Sequence, residues 1–398
     1  MANWTPSEKK ILSDSEKIFL KYGEKEGLYQ LEKLLPQKSH ASIDHKTRGL
    51  RSHLFSTLKK EKEGEVMKDK NLVDAQKFAK EILAGLEGQK PILYLPRKKK
   101  IFSGKIIESA ALMLSDIHCG QVNKFPDKNG KMQITYDTEI MVQEFDRLLD
   151  GVFTVNTLLS TSYHIKKLYI FGVGDYMEND VIFKGQRFFI DKSVGQQLKT
   201  LVNVFSSFLL RCAEMFDEVE FICVAGNHGR FQMGRDAAPI DNNWDNLFGW
   251  MMEIMFRGNE RIKITVPETW FYLAEVYGWK YFLHHGDTVY SWMNIPYYGL
   301  KRQGTARRIE MPFDIECIGH FHHRMEIPIS GESITLVNGG WISKSDFGWR
   351  KFGVLSKPEQ IYFGISPKRA RSWCFNLDLL HSKHELKKLL KEAKGGKS

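Results

Sequence analysis

The sequence predicts an α/β protein with a small helical unit at its amino end, and three observations predict it. First, five apolar runs of strand length each end abruptly in acids, amides or imidazoles, at 112–118, 170–175, 221–228, 281–287 and 318–323. Second, the segments 138–159 and 194–215 between the first three runs carry helical periodicity, so strands and helices alternate as in β-α-β crossovers. Third, residues 1–55 are patterned as short capped helices, with no strand-like alternation.

In the amino-terminal unit, Thr5 reads as a helix N-cap, with Pro6 at the first position and Glu8 completing a capping box. Ile11, Leu12, Ile18, Phe19 and Tyr22 then predict one helix that runs to Gly23. Gly27 precedes a second helix through Leu28, Leu31, Leu34 and Leu35, ended by Pro36. Ser39 caps a third, with Ile43, Leu50 and Leu54 inside and His40, His45, Lys46, Arg48 and Arg51 outside. Trp4 and the break Leu35-Pro36-Gln37-Lys38-Ser39 together resemble a Myb/SANT-type helix-turn-helix, with Leu28 and Leu50 where that pattern carries its later tryptophans. The resemblance implies a third helix in the DNA major groove, contacting DNA through Lys46, Arg48 and Arg51. The alternative to DNA binding is a small basic helical module for protein docking.

Residues 59–105 read as a linker. Lys59 to Lys70 is nearly all charged, Leu72, Phe78, Ile82 and Leu83 predict one amphipathic helix ending near Gly85, and Arg97 to Lys100 is a basic cluster. The predicted organisation is therefore a helical unit over 1–58, a linker over 59–105, a large domain over 106–380 and a basic tail over 381–398.

The large domain opens on its most informative stretch. The run at 112–114 ends in Ser115-Asp116-Ile117-His118, and side chains at i and i+2 of a strand share a face, so Asp116 and His118 can meet at one point beyond the strand's carboxyl end. A carboxylate and an imidazole at one point suit a metal. The later runs deliver Gly174-Asp175, then Gly226-Asn227-His228, then His284-His285-Gly286, then Gly319-His320-Phe321-His322. This series resembles the calcineurin-like metallophosphoesterase superfamily, in order and in spacing, from about 106 to 377.

The resemblance implies a two-sheet α/β/β/α sandwich with two divalent metals at the strand ends. By motif, Asp116, His118 and His322 would hold one ion, Asn227, His285 and His320 the other, and Asp175 both. It also implies that His228 is the catalytic group that protonates the leaving oxygen or steadies the phosphate. Oxygen and nitrogen donors without thiolate suit manganese, with iron, zinc or magnesium as alternatives. His284 and His323 are the spare members of their pairs, and strand alternation turns each away from its neighbour. Two positions depart from the common pattern: Gly229-Arg230 follow the Gly-Asn-His, making Arg230 a candidate phosphate contact, and Glu178 stands where a shorter side chain is usual.

After the fifth run, 338–349 resembles the tail of phage-type members of that superfamily. The run 361–365 reads as a strand that finishes the second sheet, and 383–394 as a basic helix. The helix over 244–256 is apolar enough to be core.

Composition narrows the class. The net charge of +10 favours a polyanionic partner. No apolar run reaches spanning length, which argues against a membrane. Five scattered cysteines without paired spacing imply reduced thiols and a cytoplasmic setting, host cytoplasm for a phage protein. The expected function is a dinuclear-metal phosphodiesterase, specifically a DNA nuclease brought to DNA by its helix-turn-helix. The alternatives are a phosphatase or nucleotide phosphodiesterase with a protein-docking module, and a DNA-binding protein with a vestigial site.

Overall fold

The computed structural model describes residues 5–22, 24–39, 43–44, 47–48, 51, 77, 80, 105–232, 239–292, 295–331, 333–345, 348–350, 353 and 355–379. They fall into two compact units, one within Met1–Asp74 and the other within Ala75–Ser398.

The first unit holds helices α1 (Pro6–Ser13), α2 (Ser15–Tyr22) and α3 (Glu24–Leu34), and the described positions between 43 and 51 are helical. Phe19, Leu28, Leu31, Leu35 and Ile43 form its core. The single helix expected over 6–22 is broken at Asp14. The Asp14 carbonyl starts the next turn there by accepting from Lys17 N–H at 3.1 Å. Gly27 lies inside α3, where the sequence suggested a boundary. A Cβ there would come within 2.6 Å of the Phe19 ring, so the glycine lets α2 and α3 approach. Arg51 corrects another expectation. It is buried, lies 5.8 Å from the Phe19 ring centroid and pairs with Asp44, whereas Arg48 is exposed and reaches Asp44 at 2.6 Å. Lys46, the linker's charged run, Arg97 to Lys100 and the basic tail lie outside the described residues.

The second unit contains two mixed sheets and a hairpin of β2 (Asn123–Pro126) and β3 (Met132–Tyr136). The six-stranded sheet runs β13 (Cys374–Asp378), β12 (Glu359–Ile365), β1 (Ile106–Leu114), β4 (Tyr163–Val173), β5 (Glu218–Val224) and β6 (Ile262–Thr265). From β1 to β6 the pairs are parallel, while β12 is antiparallel to β1 and to β13. The five-stranded sheet runs β10 (Met325–Ser330), β11 (Ser333–Val337), β9 (Ile315–Ile318), β8 (Trp279–His284) and β7 (Phe271–Val276).

Alternation along the strands builds the layers. Met113, Phe171, Val173, Ile222 and Val224 of the first sheet share one core with Tyr281, Leu283, Ile315 and Cys317 of the second. The opposite face of the first sheet is covered by α4 (Thr138–Leu159), α5 (Val194–Met215) and α6 (Trp244–Met255), through Phe145, Phe205, Phe221 and Phe248 in edge-to-face contact. Helix α7 (Tyr297–Glu310) packs on the outer face of the second sheet, through Leu300 beside Ile318 and Ile327. The result is an α/β/β/α sandwich. The strand expected to finish the second sheet instead lies in the first, between β1 and β13. Its residues are buried on both faces, Ile361, Phe363 and Ile365 toward the other sheet, so its apolar run gave no hint of which sheet it joins.

Candidate metal centre

The register aligns the carboxyl ends of the parallel strands, with Leu114 opposite Gly172 and Gly172 opposite Cys223. Beyond those ends the chain stays zipped by backbone bonds, from Asp116 N–H to Gly174 C=O (3.0 Å) and from His118 N–H to Asp175 C=O (3.1 Å). The expected presentation of Asp116 and His118 from a continuing strand is not what occurs. Both lie past β1 in left-handed backbone, with φ of 55° and 50°. Asp175 (58°), His320 (69°) and His322 (57°) share that conformation. Each such residue costs about 1–3 kcal/mol, and concentrating several in one place marks a site whose scaffold over-determines its backbone. Glycines make the approach feasible: a Cβ on Gly226 would fall 2.1 Å from Asp175 Oδ1, and one on Gly319 2.6 Å from Asp116 Oδ2.

All seven expected donors converge. Asp116, His118 and His322 each offer one donor atom within 4.8 Å of the others, and so do Asp175, His285 and His320. Asn227 Oδ1 lies 3.0 Å from His285 Nε2. The Asp175 carboxylate faces both groups, with Oδ2 3.0 Å from His285 Nε2 and 3.9 Å from His118 Nε2. Across the first group, His118 Nε2 is 3.1 Å from His322 Nε2, which is 3.4 Å from Asp116 Oδ1.

The protons on these rings are fixed from outside. His285 Nδ1 donates to the Val173 carbonyl at 2.7 Å and His118 Nδ1 to Glu178 Oε2 at 2.9 Å, so the Nε2 atoms point inward. Around His285 Nε2 stand Asp175 Oδ2, Asn227 Oδ1 and, at 3.3 Å, His320 Nδ1. A proton there satisfies one of these atoms, whereas a divalent cation satisfies all of them. Burial works against a charge on His285, yet Asp175 and Asp116 outweigh it and hold the imidazole at about 10, whereas burial and the imidazoles beside them lower His320 and His322. Burial pushes the Asp116 carboxyl up to about 6. The set of oxygen and nitrogen donors fits divalent ions of the manganese, iron, zinc and magnesium range. Cys119 takes no part: burial pushes its thiol up to about 12, and its Sγ meets the Gln197 carbonyl.

His228 stands beside the donors. Its backbone N–H donates to Asp175 Oδ1 at 2.8 Å, and its ring Nδ1 lies 3.1 Å from Glu178 Oε2. Glu178, fully buried, thus orients both His118 and His228, and Gln186 Nε2 holds its other oxygen at 2.8 Å. Arg230 is ion-paired with Asp287. His284 turns away from the centre to Glu316 (2.9 Å), and His323 sits near Ser356.

Two supports escaped the sequence reading. Ser115 Oγ donates to Asp116 Oδ2 at 2.5 Å, and Asn338 and Gln360 hold Ser115 in a buried network. Asp245, in the first turn of α6, accepts from the backbone N–H groups of Asp175 and Gly226 at 2.9 Å each, and of Tyr176 (3.3 Å) and Met177 (3.4 Å). It clamps together the two loops that carry Asp175 and Asn227. A lone acid opening a helix as apolar as 244–255 was the available signal. Asp245→Ala is expected to destabilise the fold by about 3–4 kcal/mol, at about 1 kcal/mol per lost bond, while Asp245→Asn keeps one acceptor and costs less. Urea unfolding checks this; equal midpoints for Ala and wild type would remove the clamp.

No family model matches the chain, and no curated protein matches it. Solved structures do. Wild-type Vps29 complexed with zinc from Entamoeba histolytica is 14% identical, covering 68% of this chain and 99% of its own, with a TM-score of 0.27. A dimetal phosphatase from Danio rerio is 9% identical, covering 68% and 99%, with a TM-score of 0.36. An uncharacterised protein from Streptococcus pneumoniae, described as a predicted phosphoesterase, is 10% identical, covering 68% and 98%, with a TM-score of 0.26.

Proposed function

We propose that the chain is a dinuclear-metal-dependent phosphodiesterase acting on nucleic acid. The observation that carries this reading is the meeting of inward-facing acceptors around Asp175, which a cation on each side of that carboxylate reconciles. Asp116, His118 and His322 would hold one ion, Asn227, His285 and His320 the other, with Asp175 reaching both. Bound there, two divalent ions supply an activated water and neutralise phosphoryl oxygens. The chain's own groups do the rest. Glu178 fixes His228 through Nδ1, which leaves Nε2 to protonate the leaving oxygen. Arg230 can reach a phosphate by exchanging Asp287 for it.

The nuclease form of this reading gives the amino-terminal unit a DNA-binding role. With Arg51 buried, its cations for DNA are Lys46 and Arg48. A protein-docking role is favoured by a different observation, the exposed Leu20, Tyr29 and Leu34 on the same unit.

One experiment addresses both. With Mn²⁺, linear, circular and single-stranded DNA are compared with a small phosphodiester and a phosphomonoester. Diesters should be cleaved, chelation should stop the reaction, and the monoester should react poorly. Preference for the monoester would install the phosphatase reading, and no turnover at all would leave a non-catalytic binder. Replacing Lys46 and Arg48 by Ala should then flatten the slope of log affinity for DNA against log salt, by about 0.9 for each phosphate no longer neutralised. An unchanged slope would move the unit to protein docking.

A further inference from the structure

Exposed aromatic rings gather on two segments that leave the centre. The first follows Glu178: Phe183 lies 6.3 Å, ring to ring, from His228, and a short 3-10 helix, Gln186–Phe189, carries Phe188 at 87% exposure with Phe189 beside it. The second follows His285: Tyr290 is 75% exposed, Trp292 73% and Tyr298 82%. Tyr290 is five residues past His285, so its Cα lies within about 18 Å of that residue's by chain length alone.

These rings are not on loose loops. Gln186 is fully buried and bonds to both the carbonyl and the carboxylate of Glu178, and its Oε1 takes Ile182 N–H at 2.7 Å. The aromatic turn is therefore bolted to the residue that orients His228. On the other side, Trp292 and Ile295 exchange backbone bonds of 3.2 and 2.8 Å, and Gly299 packs so tightly on the Tyr290 carbonyl that a Cβ would sit 1.9 Å from it. The Arg230–Asp287 pair ties this segment to the loop that carries His228.

A cation stands beside the rings of each segment. Lys184 is exposed beside Phe183, and Arg302 is exposed one helical turn after Tyr298, on the same face of α7. Solvent-facing rings on backbone-anchored segments, with a cation beside each set, match one ligand chemistry: bases with free π-faces on a phosphate backbone. Paired bases hide those faces in their own stack.

We propose that this rim receives an unpaired polynucleotide strand, its bases stacking on Phe188, Trp292 and Tyr298 and its backbone leading to the centre. The proposal rests on the phosphodiesterase reading and gives it a substrate class, strands without a partner, read with little sequence preference.

The test compares binding of fluorescent oligo(dT), oligo(U) and an abasic deoxyribose-phosphate strand of equal length to the full chain in chelator, where nothing is cleaved. Phe188→Ala, Trp292→Ala, Tyr298→Ala and the triple variant are measured beside wild type, with circular dichroism to confirm folding. Wild type should bind both base-bearing strands more tightly than the abasic one. Each variant should lose roughly 5- to 150-fold in affinity for them, the usual worth of a stacked base, and much less for the abasic strand. Equal wild-type affinity for base-bearing and abasic strands, or unchanged affinity in the triple variant, would overturn the proposal and point to a protein on this rim. Wild-type turnover of a base-free diester with Mn²⁺ is read separately. If that turnover is absent while the binding pattern holds, the phosphodiesterase reading fails and the strand site stands.

Discussion

Asp175→Ala is expected to abolish hydrolysis and to lower the metal content from two ions per chain to one or none. The reason is its position between the two groups of donors. The carboxylate lies between the His118 and His285 Nε2 atoms, and its other oxygen receives the His228 N–H. Removing it takes a negative charge from between the two groups of donors that would hold the ions, and leaves the backbone N–H of His228 without that partner. Asp175→Asn separates charge from shape: it keeps an oxygen for His228 but not the charge, so it should fold like wild type and still lose metal. Elemental analysis of the purified variants, beside turnover of a small phosphodiester, checks both. Two ions bound with near-normal turnover would end the dinuclear reading.

His228→Ala should separate chemistry from metal binding. Its Nδ1 is engaged by Glu178, and the expected donors on either side do not depend on it, so metal content should stay near wild type. Turnover should fall by about 10²–10⁴, the range for a positioned proton donor. The loss should shrink as the leaving group becomes more acidic, because a stable anion departs without a proton. A uniform loss across leaving groups, together with lost metal, would make His228 a ligand. Glu178→Gln offers a companion reading. It keeps the shape against His118 and His228 but removes the charge, so its leaving-group profile should shift in the same direction as that of His228→Ala.

The strand ends were legible because hydrophobicity and chemistry change together there. Apolar runs can be core strands, and the donors that end them have no structural reason to recur five times in order. Helices α4 and α5 were legible through long amphipathic patterns. Where residue type was the only guide, the reading failed. Arg51 was placed outside as a charged residue, but its stem and guanidinium lie against Phe19 and Asp44. Gly27 looked like a breaker and is a packing contact. The strand Glu359–Ile365 is apolar on both faces, so nothing in it named a sheet. Left-handed φ at aspartate and histidine leaves no compositional trace, since even these residue types adopt it only in a minority of cases. Asp245 was hidden because its partners are backbone groups of loops far away in sequence.

The position of β12 beside β1 has a consequence for how the protein is made. β1 is the first strand of its sheet to be synthesised, yet it lies between β4 and β12, and β12 is nearly the last. Gln360 on β12 accepts the Ser115 N–H and an Asn338 amide proton, and Ser115 in turn steadies Asp116. On a ribosome, every donor atom is therefore already translated when the residue that squares up the earliest of them has yet to appear. A nascent chain halted before Glu359 would own all seven side chains without their geometry. The order of synthesis thus delays a finished centre until β12 has been translated.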